Sequence, residues 1–185
     1  MDNTEIKQDD FSKQVLENRT MTSCCFDHCN FSECLLRGTK FSSCTFVGCN
    51  LSLVKWEACR LQDVQFTDCK IVGAAFFTCE KTFFSVNFKK CLLQYCNFSD
   101  LPMKNSSFER SKVVECYFTN SNLNGANFQD TDLSGTQFHN CDLTKANFSS
   151  AKHYVIDPQT NKIKTAIFSL PEAVGLLHGF GITVV

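Results

Sequence analysis

No apolar run in the chain approaches the ~20 residues that a membrane-spanning helix needs, so a membrane protein is not expected. The first ten residues carry Asp2, Glu5, Asp9 and Asp10 with no apolar core segment, and read as neither a secretory signal nor a transit peptide. Charge of one sign is missing too. The chain sets 18 Lys and Arg against 19 Asp and Glu, without the basic footprint that phosphate backbones require, so direct nucleic-acid binding is not expected. The glycines are spread out rather than clustered before a helix, which removes a phosphate-cradling loop. His139, His153 and His178 are scattered with no paired nucleophile, so neither catalysis nor a cofactor is expected.

What is abundant is cysteine, 13 residues in all. Without an export signal these point to free thiols in a reducing compartment, hence the cytoplasm. The crowding of Cys24, Cys25, His28, Cys29 and Cys34 suggests a zinc site. Their register argues otherwise, because Cys24, Cys29 and Cys34 fall on inward positions while Cys25 and His28 fall outward. No metal site is expected.

A fixed period of five decides the fold. From Phe11 every fifth residue is apolar through Leu16, Met21, Phe26, Phe31, Leu36, Phe41, Phe46, Leu51, Trp56, Leu61, Phe66, Ile71 and Phe76. After a spacing of seven the pattern resumes at Phe83 and continues through Phe88, Leu93, Phe98, Met103, Phe108, Val113, Phe118, Leu123, Phe128, Leu133, Phe138, Leu143 and Phe148. Two other positions of the repeat agree. Two residues before each centre the side chain is small and mostly apolar, and this position takes eleven of the thirteen cysteines. Two residues after the centre fall Gly38, Gly48, Gly73, Gly125 and Gly135, where the backbone must turn.

Five matches neither the 3.6 of a helix nor the 2 of a strand. A short extended piece followed by a corner does keep every fifth side chain inside. If each piece turns the chain by about a quarter turn, four close a coil, and coils stacked at ~4.8 Å give a tube about 34 Å long. The reading is an all-β stacked-coil β-helix of about seven coils over residues 11–151, and its quadrilateral section is what the family resemblance given below implies. Residues 1–10 form a tail or cap, and residues 152–185 form a C-terminal cap with a short helix and strand. Its core ladder is Phe26, Phe31, Phe41, Phe46, Trp56, Phe66, Phe98, Phe108, Phe118, Phe128, Phe138 and Phe148. The break at 77–82 inserts two residues and reads first as a structural joint, with Phe77, Glu80 and Lys81 as a candidate partner contact.

Stretches such as Ala126-Asn127-Phe128 and Ala146-Asn147-Phe148 resemble the A(D/N)LXX motif of the pentapeptide-repeat family. That resemblance implies a right-handed, square-sectioned β-helix. In the tail, Ser169 is expected to cap a helix that has Pro171 in its first turn and ends at Gly179, followed by a strand over Gly181 to Val185. Val174, Leu177, Phe180, Ile182 and Val184 are too apolar to stay wholly exposed, which points to a symmetric homodimer. Leu176-Leu177-His178-Gly179-Phe180-Gly181-Ile182-Thr183-Val184 is similar to the ending of Qnr-type quinolone-resistance proteins and microcin immunity proteins. This implies a rod that binds a type II topoisomerase, DNA gyrase or topoisomerase IV, and protects it from a quinolone or peptide toxin. The alternative is a scaffolding repeat protein for an unrelated protein partner. The repeat region holds 13 acidic and 14 basic residues between positions 11 and 150, so the whole rod does not imitate the charge of DNA.

Overall fold

A computed structural model describes residues 1–180 and 182, with His178 and Gly179 described by their backbone. The strands Glu5–Lys7, Cys25–Asp27, Thr45–Val47, Val64–Thr67 and Val86–Lys89 lie side by side in one parallel sheet. Glu5 faces Cys25, Cys25 faces Thr45 and Thr45 faces Gln65, so the chain returns to the same place every twenty residues. A second ladder joins Thr20–Thr22, Lys40–Ser42 and Arg60–Gln62. Bridges such as Asp10 to Asn30 and Val15 to Leu35 form the other sides. Four pentapeptides per return make four sides, and the stacked coils form a β-solenoid of about eight turns.

That is one coil more than the seven expected, because both flanks join the stack. Ile6 pairs with Phe26, and Phe148 with Phe168. The five-residue spacing in fact reaches back from Phe11 to Ile6 and Met1. Residues 2–10 are therefore ladder-forming coil rather than a tail. Near the other end Gln137 pairs with Val155, a coil two residues short, which brings Tyr154 and Ile156 inside before Asp142 pairs with Lys162 at the usual spacing. The final helical segment, Glu172–Phe180, is a 3-10 helix. The Ser169 hydroxyl, expected as its cap, accepts the N–H of Ser150 one coil earlier at 3.2 Å, while the Ser169 carbonyl accepts the N–H of Ala173 at 3.0 Å. The strand expected from Gly181 to Val185 lies outside the described residues except for Ile182.

The core is aromatic along its axis. Phe26, Phe46, Phe66, Phe88, Phe108, Phe128, Phe148 and Phe168 stack as one ladder with centroid spacings such as 4.8 Å for Phe26–Phe46 and 4.9 Å for Phe108–Phe128. Trp56, Phe76, Phe98, Phe118 and Phe138 form a second ladder, and the two meet edge to face, as Phe108 and Phe118 do at 87°. Stacked and edge-to-face pairs both suit the ring quadrupole. Phe31 and Phe41 are buried as well.

Small side chains two residues before each centre do more than leave room. Their donors reach the carbonyl of a central residue in the preceding coil: Cys59 to Leu36 at 2.9 Å, Ser121 to Phe98 at 2.8 Å, Thr136 to Val113 at 2.7 Å and Asn161 to Phe138 at 3.0 Å. A buried carbonyl without a partner is costly, so this position favours a thiol or hydroxyl that is small enough to fit and still able to donate. Burial pushes the Cys59 thiol up to about 12, which keeps its donating proton in place. Val54, Val64 and Ala126 fill the position without donating.

Corners and outward positions have their own chemistry. Two residues after the centre the backbone is left-handed at nearly every repeat, with φ near +55° at His28, Lys90 and Asp130 as well as +69° at Gly125. At Gly125 a Cβ would meet the side-chain oxygen of Asn105 one coil earlier, so a larger residue there requires Asn105 to shift. Just before the centre, Asn or Asp side chains accept the N–H two residues on, as Asn97 does from Ser99 at 2.9 Å and Asp142 from Thr144 at 3.0 Å. This local bracing closes an Asx turn around the central residue.

Three outcomes follow from this packing. Phe118→Ala is expected to destabilise the chain by about 3–5 kcal/mol in urea unfolding followed by circular dichroism, whereas Lys104→Gln, on an exposed corner, shifts it by less than about 0.5 kcal/mol. Thr136→Val, which strips the donor from Val113 and the acceptor from Cys116 N–H, costs about 1–3 kcal/mol, and Thr136→Ser retains most of that. The bonds from Thr144 hold the Asp142 carboxyl below the usual carboxylate range. Its stabilisation is therefore complete above the unfolded pKa of about 3.9 and is lost as pH falls through the lower folded value. Asp142→Asn keeps an acceptor oxygen but not the charge, so acid unfolding curves should lose part of their pH dependence and stability at pH 7 should fall slightly, toward the acid-side value.

Candidate protein-interaction surface

The register break shapes one candidate site. Phe76–Thr78 forms a single 3-10 turn in which the Thr78 hydroxyl donates to the Ala75 carbonyl at 2.7 Å. Phe76 points inward and Phe77 outward. Two extra residues shift the ladder, so Val64 pairs with Val86. The sequence pattern placed Phe83 in the core. Instead Phe83 occupies a left-handed corner and is 64% exposed, while Phe84 is 5% exposed. A corner at Phe83 turns the following residue inward, which period counting across an insertion does not reveal. Glu80 pairs with Arg60 at 2.8 Å, and Lys81 stands exposed.

The apolar side chains left outside are unevenly distributed. The outward column of one face runs Val15, Leu35, Lys55, Ala75, Asn97 and Tyr117, with bridges one coil apart joining Val15 to Leu35 to Lys55 and Ala75 to Asn97 to Tyr117. On this face and its leading corner Val15, Leu53, Phe77, Tyr95 and Tyr117 are exposed. The column on the opposite face runs Glu5, Cys25, Thr45, Gln65 and Asn87, which is polar apart from the half-buried Cys25. A patch centred on Phe77 therefore sits halfway along a flat side. Tyr95 and Tyr117 were not singled out from the sequence; an aromatic in an outward slot of the repeat is the signal that marks them.

A second exposed apolar group lies around the last coil, with Val155, Ile167, Leu170, Leu177, Phe180 and Ile182 exposed and Val174 half-buried. Val184 lies outside the described residues. Leu176 packs against the core, so the 3-10 helix covers part of the tube's end. No helix among the described residues is long and apolar enough to cross a membrane.

Two side-chain clusters have the composition of reactive sites. The cysteines are free thiols, twelve of them buried and Cys25 half-buried. Among the described residues no group of three or more His, Cys, Asp or Glu is arranged to hold a metal. Ser134, His153 and Asp132 do meet: His153 Nδ1 lies 2.9 Å from the Asp132 carboxylate and 3.1 Å from Ser134 Oγ. In a nucleophilic triad the two imidazole nitrogens serve different partners, the serine on one and the carboxylate on the other. Here both use Nδ1, and the Ser134 hydroxyl also donates to Asp132 at 2.6 Å, so the imidazole cannot relay a proton between them. Burial pushes the Asp132 carboxyl up, but the bonds from Ser134 and His153 outweigh it and hold the group below its usual range. The cluster braces the corner at His153, which has φ +58°.

A long four-sided parallel β-solenoid with a five-residue period defines a repeat protein. The family model for a pentapeptide repeat region matches residues 19–82 and 81–153, and the chain belongs to the pentapeptide-repeat family. No curated protein matches it in sequence. Among solved structures it is similar to trypsin-treated QnrB1, a plasmid-mediated fluoroquinolone resistance protein, with a TM-score of 0.66 at 17% identity over 100% of this chain and 97% of that one. It also matches a pentapeptide repeat protein from the Arabidopsis thaliana thylakoid lumen, at 21% identity and a TM-score of 0.40 over 65% of this chain and 69% of that one. HetL of the cyanobacterium Nostoc matches at 18% identity and a TM-score of 0.33 over 90% and 81%.

Proposed function

We propose that this chain is a non-enzymatic interaction protein of the cytoplasm that binds a type II topoisomerase, DNA gyrase or topoisomerase IV, and shields it from quinolones or a peptide toxin. The observation that carries this reading is the likeness in fold to QnrB1 over 100% of this chain, and the sequence of Leu176 to Val184, which resembles the ending of Qnr-type proteins, supports it. The flat sides offer a rigid surface, and a rigid binder loses little entropy on association. In this reading the chain works as a homodimer joined through Val174, Leu177, Phe180, Ile182 and Val184, and the patch at Phe77, flanked by Glu80 and Lys81, meets the enzyme. The scaffolding alternative draws support from the balance of 13 acidic and 14 basic residues over positions 11–150, which gives the rod no overall likeness to a DNA duplex.

A supercoiling assay with purified gyrase and topoisomerase IV tests the proposal. Titrating the chain over a micromolar range should restore supercoiling in the presence of a quinolone and reduce drug-induced cleavage. Phe77→Asp should weaken that protection about tenfold or more, the effect of losing an apolar anchor at an interface. Unchanged supercoiling and unchanged cleavage across the titration would favour the scaffold.

A further inference from the structure

The strand Glu5–Lys7 is the outermost of the five-stranded sheet and pairs with Cys25–Asp27 on one side. Thr4 C=O and Gln8 N–H are already used toward that neighbour, accepting from Cys25 N–H at 2.9 Å and donating to Asp27 C=O at 2.8 Å. Cys29 Sγ reaches the Ile6 carbonyl from the same side at 3.5 Å. Backbone groups alternate along a strand, so the N–H and C=O of both Glu5 and Lys7 face the other way, toward the open edge. Inside that edge Ile6, Phe11 and Leu16 are half-buried, whereas Phe26, Phe31 and Leu36 one coil later are 1% exposed or less. With Met1 and Met21 they line a mostly apolar cavity of about 240 Å³.

We propose that this edge is self-complementary and joins two copies of the chain end to end. Placed antiparallel about a two-fold axis through Ile6, the strand sets Glu5 of one copy opposite Lys7 of the other, twice. Those two residues carry the outward-facing backbone groups, so each Glu5–Lys7 couple exchanges a pair of N–H to C=O bonds, four bonds in all. Their side chains, which pair within the strand at 3.0 Å, lie outside the tube and find the opposite charge across the seam as well. Ile6 meets Ile6 on the axis, which supplies each copy with the apolar neighbour that Phe26 gives Ile6 on its other side. The surface is isologous, as a two-fold interface requires. It is also an edge without the proline or unpaired inward charge that keeps sheet edges apart.

Sedimentation velocity on the full chain tests this, in a Leu177→Asp, Phe180→Asp background that removes association through the other apolar end. The background chain should show a concentration-dependent dimer. Glu5→Lys and Lys7→Glu, added singly, place like charges opposite each other and should each weaken the dimer about tenfold or more. An equimolar mixture of the two should regain it, since Lys-Ile-Lys then meets Glu-Ile-Glu. A single mass shared by all the samples, or a mixture no heavier than its components, would overturn the proposal.

Discussion

A chain that returns to the same face every twenty residues sets each side chain directly over its equivalent one coil earlier, about 4.8 Å away. Every other feature of the molecule answers to that register. Like must tolerate like at close range, which aromatic rings do by stacking, and which small donors do by reaching the backbone carbonyl one coil back. Glu33, by contrast, sits within 3.8 Å of Lys13, and Arg37 at 2.9 Å from Glu57, so several outward charges meet the opposite sign in their own column, although Lys40 stands beside Arg60. These exposed pairs add little stability individually, but like charges stacked in their place would repel over the full length of a column.

The same register makes the structure local in sequence. Each coil touches mainly the coils before and after it, so stability accumulates by nearest-neighbour contacts rather than through one distant nucleus. It follows that an irregular coil need not spoil its neighbours. The 22-residue step from Val64 to Val86 and the 18-residue step from Gln137 to Val155 are both absorbed within a single turn, and pairing resumes at twenty residues on either side.

Much of this was legible before any coordinates, and the reason is physical. Inward and outward positions differ in hydrophobicity, so the central column and the small column stand out as composition. Left-handed corners were visible only where glycine occupied them, because the corner also accepts Asp, Asn, Lys and Tyr when the coil below holds the backbone in place. The donor role of the small column was hidden, since Cys, Ser and Thr look alike to a reading based on size. Phe83 and Phe84 could not be separated by counting, as two inserted residues leave two registers equally apolar. The coil character of residues 2–10 was missed for a different reason: the charged residues around Ile6, from Asp2 and Glu5 to Lys7, Asp9 and Asp10, obscured a period that continues to Met1.

The repeat commits the central position, the two positions that flank it at distance two, and often the Asx position before it. What remains free is the residue after each centre and those preceding slots that are not needed for bracing. Phe77 sits in the first kind of slot and Tyr117 in the second, so surface chemistry changes there without disturbing a ladder. This division explains how a chain only 17% identical to QnrB1 keeps the same rod over its full length. It also explains why the repeat motif identifies the family so firmly while leaving the outward positions free to vary.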